Sequence, residues 1–171
     1  VVPDFLCLAK GLTGGYLPLA ATLTTERVYE AFLGSYEELK TFFYGHSYCG
    51  NPLGCAAALG SLQVFEEEDV LSQLPRKSAF FGEALKTGFQ DHHRVGEIRQ
   101  LGLLAGIDLA ACDWKEQTGA RVCKAARKYG LLTRPVRDTL TLMPPLCSSE
   151  EEIRKMIRAL RSALDDVLPD S

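Results

Sequence analysis

The stretch FLCLAKGLTGGYLPLAATLTT, residues 5–25, restricts the fold more than any other. A short apolar run of buried-strand character, FLCLA, meets a lone charged residue, Lys10, and the backbone is then opened by Gly11, Gly14 and Gly15 ahead of Pro18. Glycines and a proline so closely spaced exclude a continuous helix. They predict a strand, an irregular turn and a second short strand over LPLAATLTT. A lysine in this place has two fates. It extends its amine to water, the ordinary outcome at a strand end, or it stays in a partly desolvated pocket. There its pKa falls and the amine attacks an aldehyde to form a Schiff base. The glycines would let the backbone approach a planar cofactor.

Downstream, Thr24 or Thr25 is placed to cap a helix over ERVYEAFLG that Gly34 stops. TFFYGHSYCGNP reads as an irregular loop, and Pro52 suits the first turn of a helix running through LGCAAALGSLQVFEEE. The small residues Cys55, Ala56 and Ala58, with Leu59, suggest a close-packed face on that helix. Beyond it, helix and strand alternate: DVLSQLPRKSAFFGEALKTGFQ as a helix with Pro75 as a kink or break, VGEIRQLGLLAGIDLA as two strands at a turn, TGARVCKAARKYG as a helix closed by Gly130, and LLTRPV and TLTLMPP as two short strands. The last helix has Ser148 or Ser149 as its cap, Glu151 or Glu152 completing a capping box, and an apolar stripe of Ile153, Met156, Ile157, Leu160 and Leu164. The organisation is therefore α/β, divided into residues 1–67, rich in glycine, aromatics and loops, and 68–171, a small domain of helices over a short sheet.

A chain of 171 residues with 46% apolar and 24% charged residues is long enough for a proper core. Its net charge of -3 offers no basic field to nucleic acid, and its apolar runs fall far short of the ~20 residues that span a bilayer. Six cysteines without a CxxC pair favour reduced, mostly buried thiols in a cytoplasmic protein, and no secretory signal is visible. The opening VVPDF, without an initiator methionine, reads as a piece of something longer. His46 and Cys49 are too few for a metal site and lack the third group of a Cys–His nucleophile, so no metal is expected. His92 and His93 read as a solvated polar turn, and Arg137 as a solvated turn residue. Arg134 either faces water from an edge strand or pairs bidentately with a carboxylate.

PDFLCLAKGLTGGYLPLAATLTT, with its K-G-x-x-G-G core, and YGHSYCGNPLGCAAAL together resemble the cofactor-lysine segment and the phosphate loop of the class III aminotransferases. LLTRPVRDTLTLMPPL resembles the family's carboxylate-binding segment. The resemblance implies the C-terminal part of a fold-type I enzyme dependent on pyridoxal 5'-phosphate (PLP): residues 1–67 end the large cofactor-binding domain and 68–171 form the small one. It implies that Lys10 is the catalytic, cofactor-binding lysine and that Ser47, where threonine is commoner, binds the cofactor phosphate of the neighbouring subunit. Arg134 would bind the substrate carboxylate, in a homodimer that shares its active site. Small-molecule partners follow, a keto acid and an amino donor.

Within the family these stretches look most like the branch that aminates 7-keto-8-aminopelargonate in biotin biosynthesis, with S-adenosylmethionine or lysine as donor. Ornithine, 4-aminobutyrate and ω-amino acid:pyruvate aminotransferases, and a non-catalytic scaffold of the same fold, are the alternatives. The family's ring-binding aspartate, stacking aromatic and glycine-serine phosphate loop would precede Val1, so the isolated chain is expected to be inactive.

Overall fold

In the computed structural model, which describes residues 1–110 and 112–169, the chain divides into two units, Val1–Asp69 and Val70–Ser171. Asp170 and Ser171, the end of the expected 68–171 domain, lie outside the described residues. In the first unit β1 (Phe5–Leu8) pairs antiparallel with β2 (Ala21–Thr24), Phe5 opposite Thr24 and Leu8 opposite Ala21. The strands form where the sequence predicts them, but the expected burial of β1 does not: Phe5 remains 57% exposed and Leu6 47%. A two-stranded ribbon has no second layer to shield it.

The helix after β2 is also shorter than its sequence suggests. α1 (Glu26–Glu30) ends well before Gly34, the Thr25 hydroxyl makes no capping bond, and none of its residues is buried. A helix without a packed face has little to extend it. α2 (Pro52–Glu67) is well founded: the Asn51 side chain accepts the Leu53 N–H at 3.0 Å, with Pro52 in the first turn. Its close-packed face is Gly54 and Ala58, one turn apart, while Ala56 and Leu59 are exposed, contrary to the expected set. At Gly54 a side chain would already touch Leu19, at 3.5 Å from its Cδ1. The loop between α1 and α2 is irregular, as expected, apart from one short 3-10 turn at Tyr36–Glu38.

The second unit holds the core. β3 (Val95–Leu101) and β4 (Leu104–Leu109) form a hairpin whose turn uses Gly102 at φ 59. β6 (Thr139–Leu142) adds to β4 and β5 (Pro135–Val136) to β6, giving the antiparallel order β3-β4-β6-β5. Alternation along β4 sends Ala105, Ile107 and Leu109 inward and leaves Asp108 on the other face. That inward face meets Phe81, Leu85 and Phe89 of α3 (Val70–Phe89), Val122 of α4 (Thr118–Ala126), and Ile153, Leu160 and Leu164 of α5 (Glu150–Val167).

α3 runs through Pro75 without breaking, because the one lost N–H bond near its start is outweighed by the buried face beyond it. α4 tightens into a 3-10 turn, Arg127–Tyr129, and Gly130 closes it at φ 80. α5 has the capping box in its Ser149–Glu152 form, and four of its five stripe residues are buried, with Met156 half-buried. On the outer face Arg99 of β3 pairs with Asp108 of β4, which also accepts the Thr139 hydroxyl of β6 at 2.6 Å. Arg99 and that hydroxyl hold the Asp108 carboxyl below the usual range.

Three further expectations need correction. β5 is only two residues long, so Arg134 precedes it; Pro135 has no N–H with which to lengthen the ladder. His92 is not solvated. Its side chain is fully buried, Nδ1 accepts the Arg94 N–H at 3.1 Å, and Nε2 lies 3.2 Å from Asp165 Oδ1, off the line of a hydrogen bond. The turn after α3 is drawn against α5 by Arg161, which donates to the Gly88 carbonyl and to Asp91, and this covers His92; His93 stacks on it and stays exposed. The cysteines are free, but only Cys123 is buried, its thiol pushed up to about 11 by desolvation; Cys7, Cys49 and Cys147 are exposed and Cys55 and Cys112 half-buried.

Candidate active site

Lys10 opens the single 3-10 turn Lys10–Thr13 that follows β1, and its backbone is left-handed at φ 53. That conformation costs a non-glycine residue about 1 kcal/mol, and the turn holds it there. Thr13, almost wholly buried, donates its hydroxyl to the Leu17 carbonyl, and the Gly14 N–H returns to the Gly11 carbonyl at 3.0 Å. Gly14 and Gly15 then continue at φ 60 and 83, where a side chain would be strained. The result is a lysine on a fixed left-handed step, on one wall of a cleft of about 1190 Å³ that Tyr16, Tyr44, His46, Tyr48 and Cys49 also line. The amine has no ion-pair partner among the described residues, and Lys10 is exposed. These residues therefore fix where the amine starts but do not supply the desolvation asked of it.

The loop carrying Ser47 is a run of tight turns. His46 Nδ1 accepts the Tyr48 N–H at 3.2 Å, the His46 carbonyl accepts the Cys49 N–H at 2.9 Å, and Gly50 turns the chain into α2 at φ 67. His46 is thus a staple of the loop. Its neighbours line the cleft, whereas Ser47 is exposed and does not. The tyrosines of the cleft were not singled out from sequence; their clustering around the glycines was the available signal.

Arg134 belongs to the second unit and is exposed, with no ion-pair partner among the described residues. It lines a cavity of about 580 Å³ with Leu132, Leu142, Met143 and Met156. Thr141 Oγ1 donates to the Arg134 carbonyl at 2.6 Å, and Thr133 Oγ1 donates to the Thr141 carbonyl at 2.6 Å. Arg137 sits exposed in the β5–β6 turn at φ 55, as expected. Among the described residues no group of three or more His, Cys, Asp or Glu could hold a metal, and no helix is long and apolar enough to cross a membrane.

The family described as "Aminotransferase class-III" matches residues 1–164 of the chain, a span that includes the Lys10–Thr13 turn. The chain belongs to the class III aminotransferases. Among class III relatives it is 48% identical over 171 residues to the adenosylmethionine-8-amino-7-oxononanoate aminotransferase of Anoxybacillus flavithermus, with 96% of the chain aligned. The enzyme of that name from Geobacter sulfurreducens is 44% identical over 174 aligned positions, covering 98% of the chain. The chain spans 37% and 38% of the length of these two relatives.

The class III fold is equally plain in three dimensions. The crystal structure of the Methanocaldococcus jannaschii enzyme of the same name superposes with a TM-score of 0.90 at 40% identity, over 96% of this chain and 39% of that one. A PLP-bound amine transaminase from an uncultivated Pseudomonas species gives 0.89 at 35% identity, over 97% of this chain and 39% of its own. The mixed α/β architecture is that of part of such an enzyme.

Proposed function

We propose that this chain is the C-terminal part of an adenosylmethionine-8-amino-7-oxononanoate aminotransferase, also called 7,8-diaminopelargonic acid synthase. The enzyme aminates 7-keto-8-aminopelargonate to 7,8-diaminopelargonate in biotin biosynthesis. The amino donor in this reading is S-adenosylmethionine, since adenosylmethionine stands in the relatives' names. Residues 1–67 end its large cofactor-binding domain and 68–171 are its small one. The enzyme is a cytoplasmic homodimer with its active site shared between subunits. One observation carries the reading: a lysine held on a left-handed turn at a cleft, in a chain that resembles enzymes of this name along almost its whole length.

The residues present suit PLP. A primary amine without an ion-pair partner among the described residues stands in a cleft wide enough for a flat ring, walled by tyrosines. Bound there, PLP would supply the aldehyde that accepts an amino group and a ring that withdraws electrons from the reacting carbon. Lys10 would hold the cofactor covalently through Nζ. Once displaced by substrate, the same amine would be free to take a proton at Nζ from the substrate carbon and to give it back as the amino group is exchanged. The left-handed step fixes the main chain from which the Lys10 side chain would reach for both transfers. Ser47 would donate its hydroxyl to the phosphate of the cofactor in the partner subunit, a role that fits its exposure outside the cleft of its own chain. Arg134 would pair its planar fork with the keto-acid carboxylate.

Borohydride reduction of the full-length enzyme with PLP, followed by peptide mapping, tests the centre of this reading. The label is expected on Lys10, and Lys10→Ala abolishes both it and turnover. An unlabelled Lys10 means a scaffold that has lost the chemistry. In the same enzyme, 7,8-diaminopelargonate is expected to convert bound PLP to its amine form faster than ornithine or 4-aminobutyrate. A faster reaction with ornithine removes the biotin assignment and leaves the family. Conversion by S-adenosylmethionine against lysine decides the donor.

A further inference from the structure

The Arg134 guanidinium has no ion-pair partner among the described residues, yet the backbone beneath it is held twice. Thr141 Oγ1 donates to the Arg134 carbonyl at 2.6 Å, and the carbonyl of Thr141 itself receives the Thr133 hydroxyl at 2.6 Å. The two bonds cross between the segment before β5 and β6 at the end of the ladder, beside Pro135, which has no N–H to contribute. The consequence is local. A two-residue strand at a sheet edge is free to fray, and side-chain bonds to backbone carbonyls remove that freedom at the residue before it. Both threonines are half-buried, and both hydroxyl protons are committed to carbonyls, so neither is free to donate to a ligand. Among the described residues, Arg134 is then the one charged residue lining a cavity whose other walls include Leu132, Leu142, Met143 and Met156. Such a cavity suits a carboxylate on a long aliphatic chain.

We propose that Thr141, supported by Thr133, is a positioning residue: by fixing the main chain of Arg134 it sets the guanidinium in register with the carboxylate of an aliphatic keto acid. This rests on Arg134 being the carboxylate-binding residue. An arginine side chain carries much rotational freedom. If its Cα also wandered, each bound carboxylate would have to order backbone and side chain together. The latch bears that ordering before the substrate arrives, which is preorganisation and acts on affinity. Removing the hydroxyl while keeping the shape should therefore weaken keto-acid binding and leave the donor half-reaction intact.

The test uses the full-length enzyme with 7-keto-8-aminopelargonate as acceptor. Thr141→Val is expected to raise KM for the keto acid about five- to tenfold, the loss of one hydrogen bond, with kcat and the donor half-reaction unchanged. Thr141→Ser, which keeps the donor, should restore KM, and Thr133→Val should give a smaller rise in the same direction. In an Arg134→Ala background, Thr141→Val should add nothing further. An unchanged KM in Thr141→Val, a Thr141→Ser variant as impaired as Thr141→Val, or an equal loss in the donor half-reaction overturns the proposal. Should Thr141→Val fail to fold, Thr133→Val and Thr141→Ser carry the same comparison. If Arg134→Ala itself leaves KM unchanged, the carboxylate reading of Arg134 falls first, and that result is distinct from a failed latch.

Discussion

Single side chains in this molecule act mostly through the backbone they hold. Thr13 secures the turn that keeps Lys10 left-handed, His46 staples the loop that presents Ser47, and Thr141 bonds to the carbonyl of Arg134. Asp108 does the same work between strands, since its carboxylate joins Arg99 of β3 to Thr139 of β6. Asp108→Asn is expected to destabilise the second unit by about 1 kcal/mol at pH 7, near the top of the range for solvent-accessible pairs because Arg99 contacts both oxygens and a third bond adds to it. The pH dependence follows from the depressed pKa of this group in the folded state. Its contribution is fully present above the unfolded value of about 3.9 and disappears as pH falls through the folded value. The difference between urea melts of the two proteins at pH 7, 5 and 3 should narrow toward the acid end, and a constant difference would show that charge is not what Asp108 contributes. Lys10 and its glycines could be read from sequence because charge and flexibility stand out in an apolar run. The hydroxyl bonds of Thr13, Thr133 and Thr141 could not, because they end on carbonyls of other residues and leave no motif.

Elements were legible in proportion to how much of their stability is local or periodic. α5 carries its own start signal and an apolar stripe at helical spacing, and α2 carries Asn51 and Pro52 ahead of a run of good helix formers. Both formed where expected. α1 and β5 had sequence signals of similar kind but no buried face or complete ladder, and both came out short. His92 failed as a sequence reading for the opposite reason: a polar turn became buried because α5 and Arg161 happen to cover it. The cap of α5 makes a quantitative case. Ser149 accepts the Glu152 N–H and donates its hydroxyl to the Glu152 carboxylate at 2.9 Å, so Ser149→Ala frees the Glu152 N–H and leaves that carboxylate only the backbone N–H of residue 149. A loss of about 1 kcal/mol is expected. Leu160→Ala, on the fully buried side of the same helix, should cost about 3 kcal/mol through a cavity under α3 and α4. Denaturant melts that rank the two the other way round would mean that α5 is held by its end and not by its face.

The two units differ most in what they bury. Among the described residues Ala58 is the one buried hydrophobic of residues 1–69, whereas every member of the main core cluster belongs to the second unit. The first unit also leaves Tyr16, Phe42, Phe43, Tyr44 and Tyr48 largely exposed. Hydrophobic burial is the main favourable contribution to folding, so the second unit has the means to fold from its own sequence and the first does not. The first unit is therefore expected to be stable only where other surfaces cover it; the chain spans 37% of the length of its Anoxybacillus relative. This is also why Lys10 and its glycines were readable from sequence as residues but not as an environment: among the described residues of the first unit, Lys10 is exposed. Produced separately, residues 70–171 are expected to melt cooperatively and to leave a hydrophobic dye dark. Residues 1–69 should show no cooperative transition, bind the dye strongly and associate during size-exclusion chromatography. A cooperative, dye-silent 1–69 fragment would show that the turn around Lys10 is stabilised by local bonds such as that of Thr13 alone. The main chain that carries the Lys10 amine would then be preorganised before any other surface covers it.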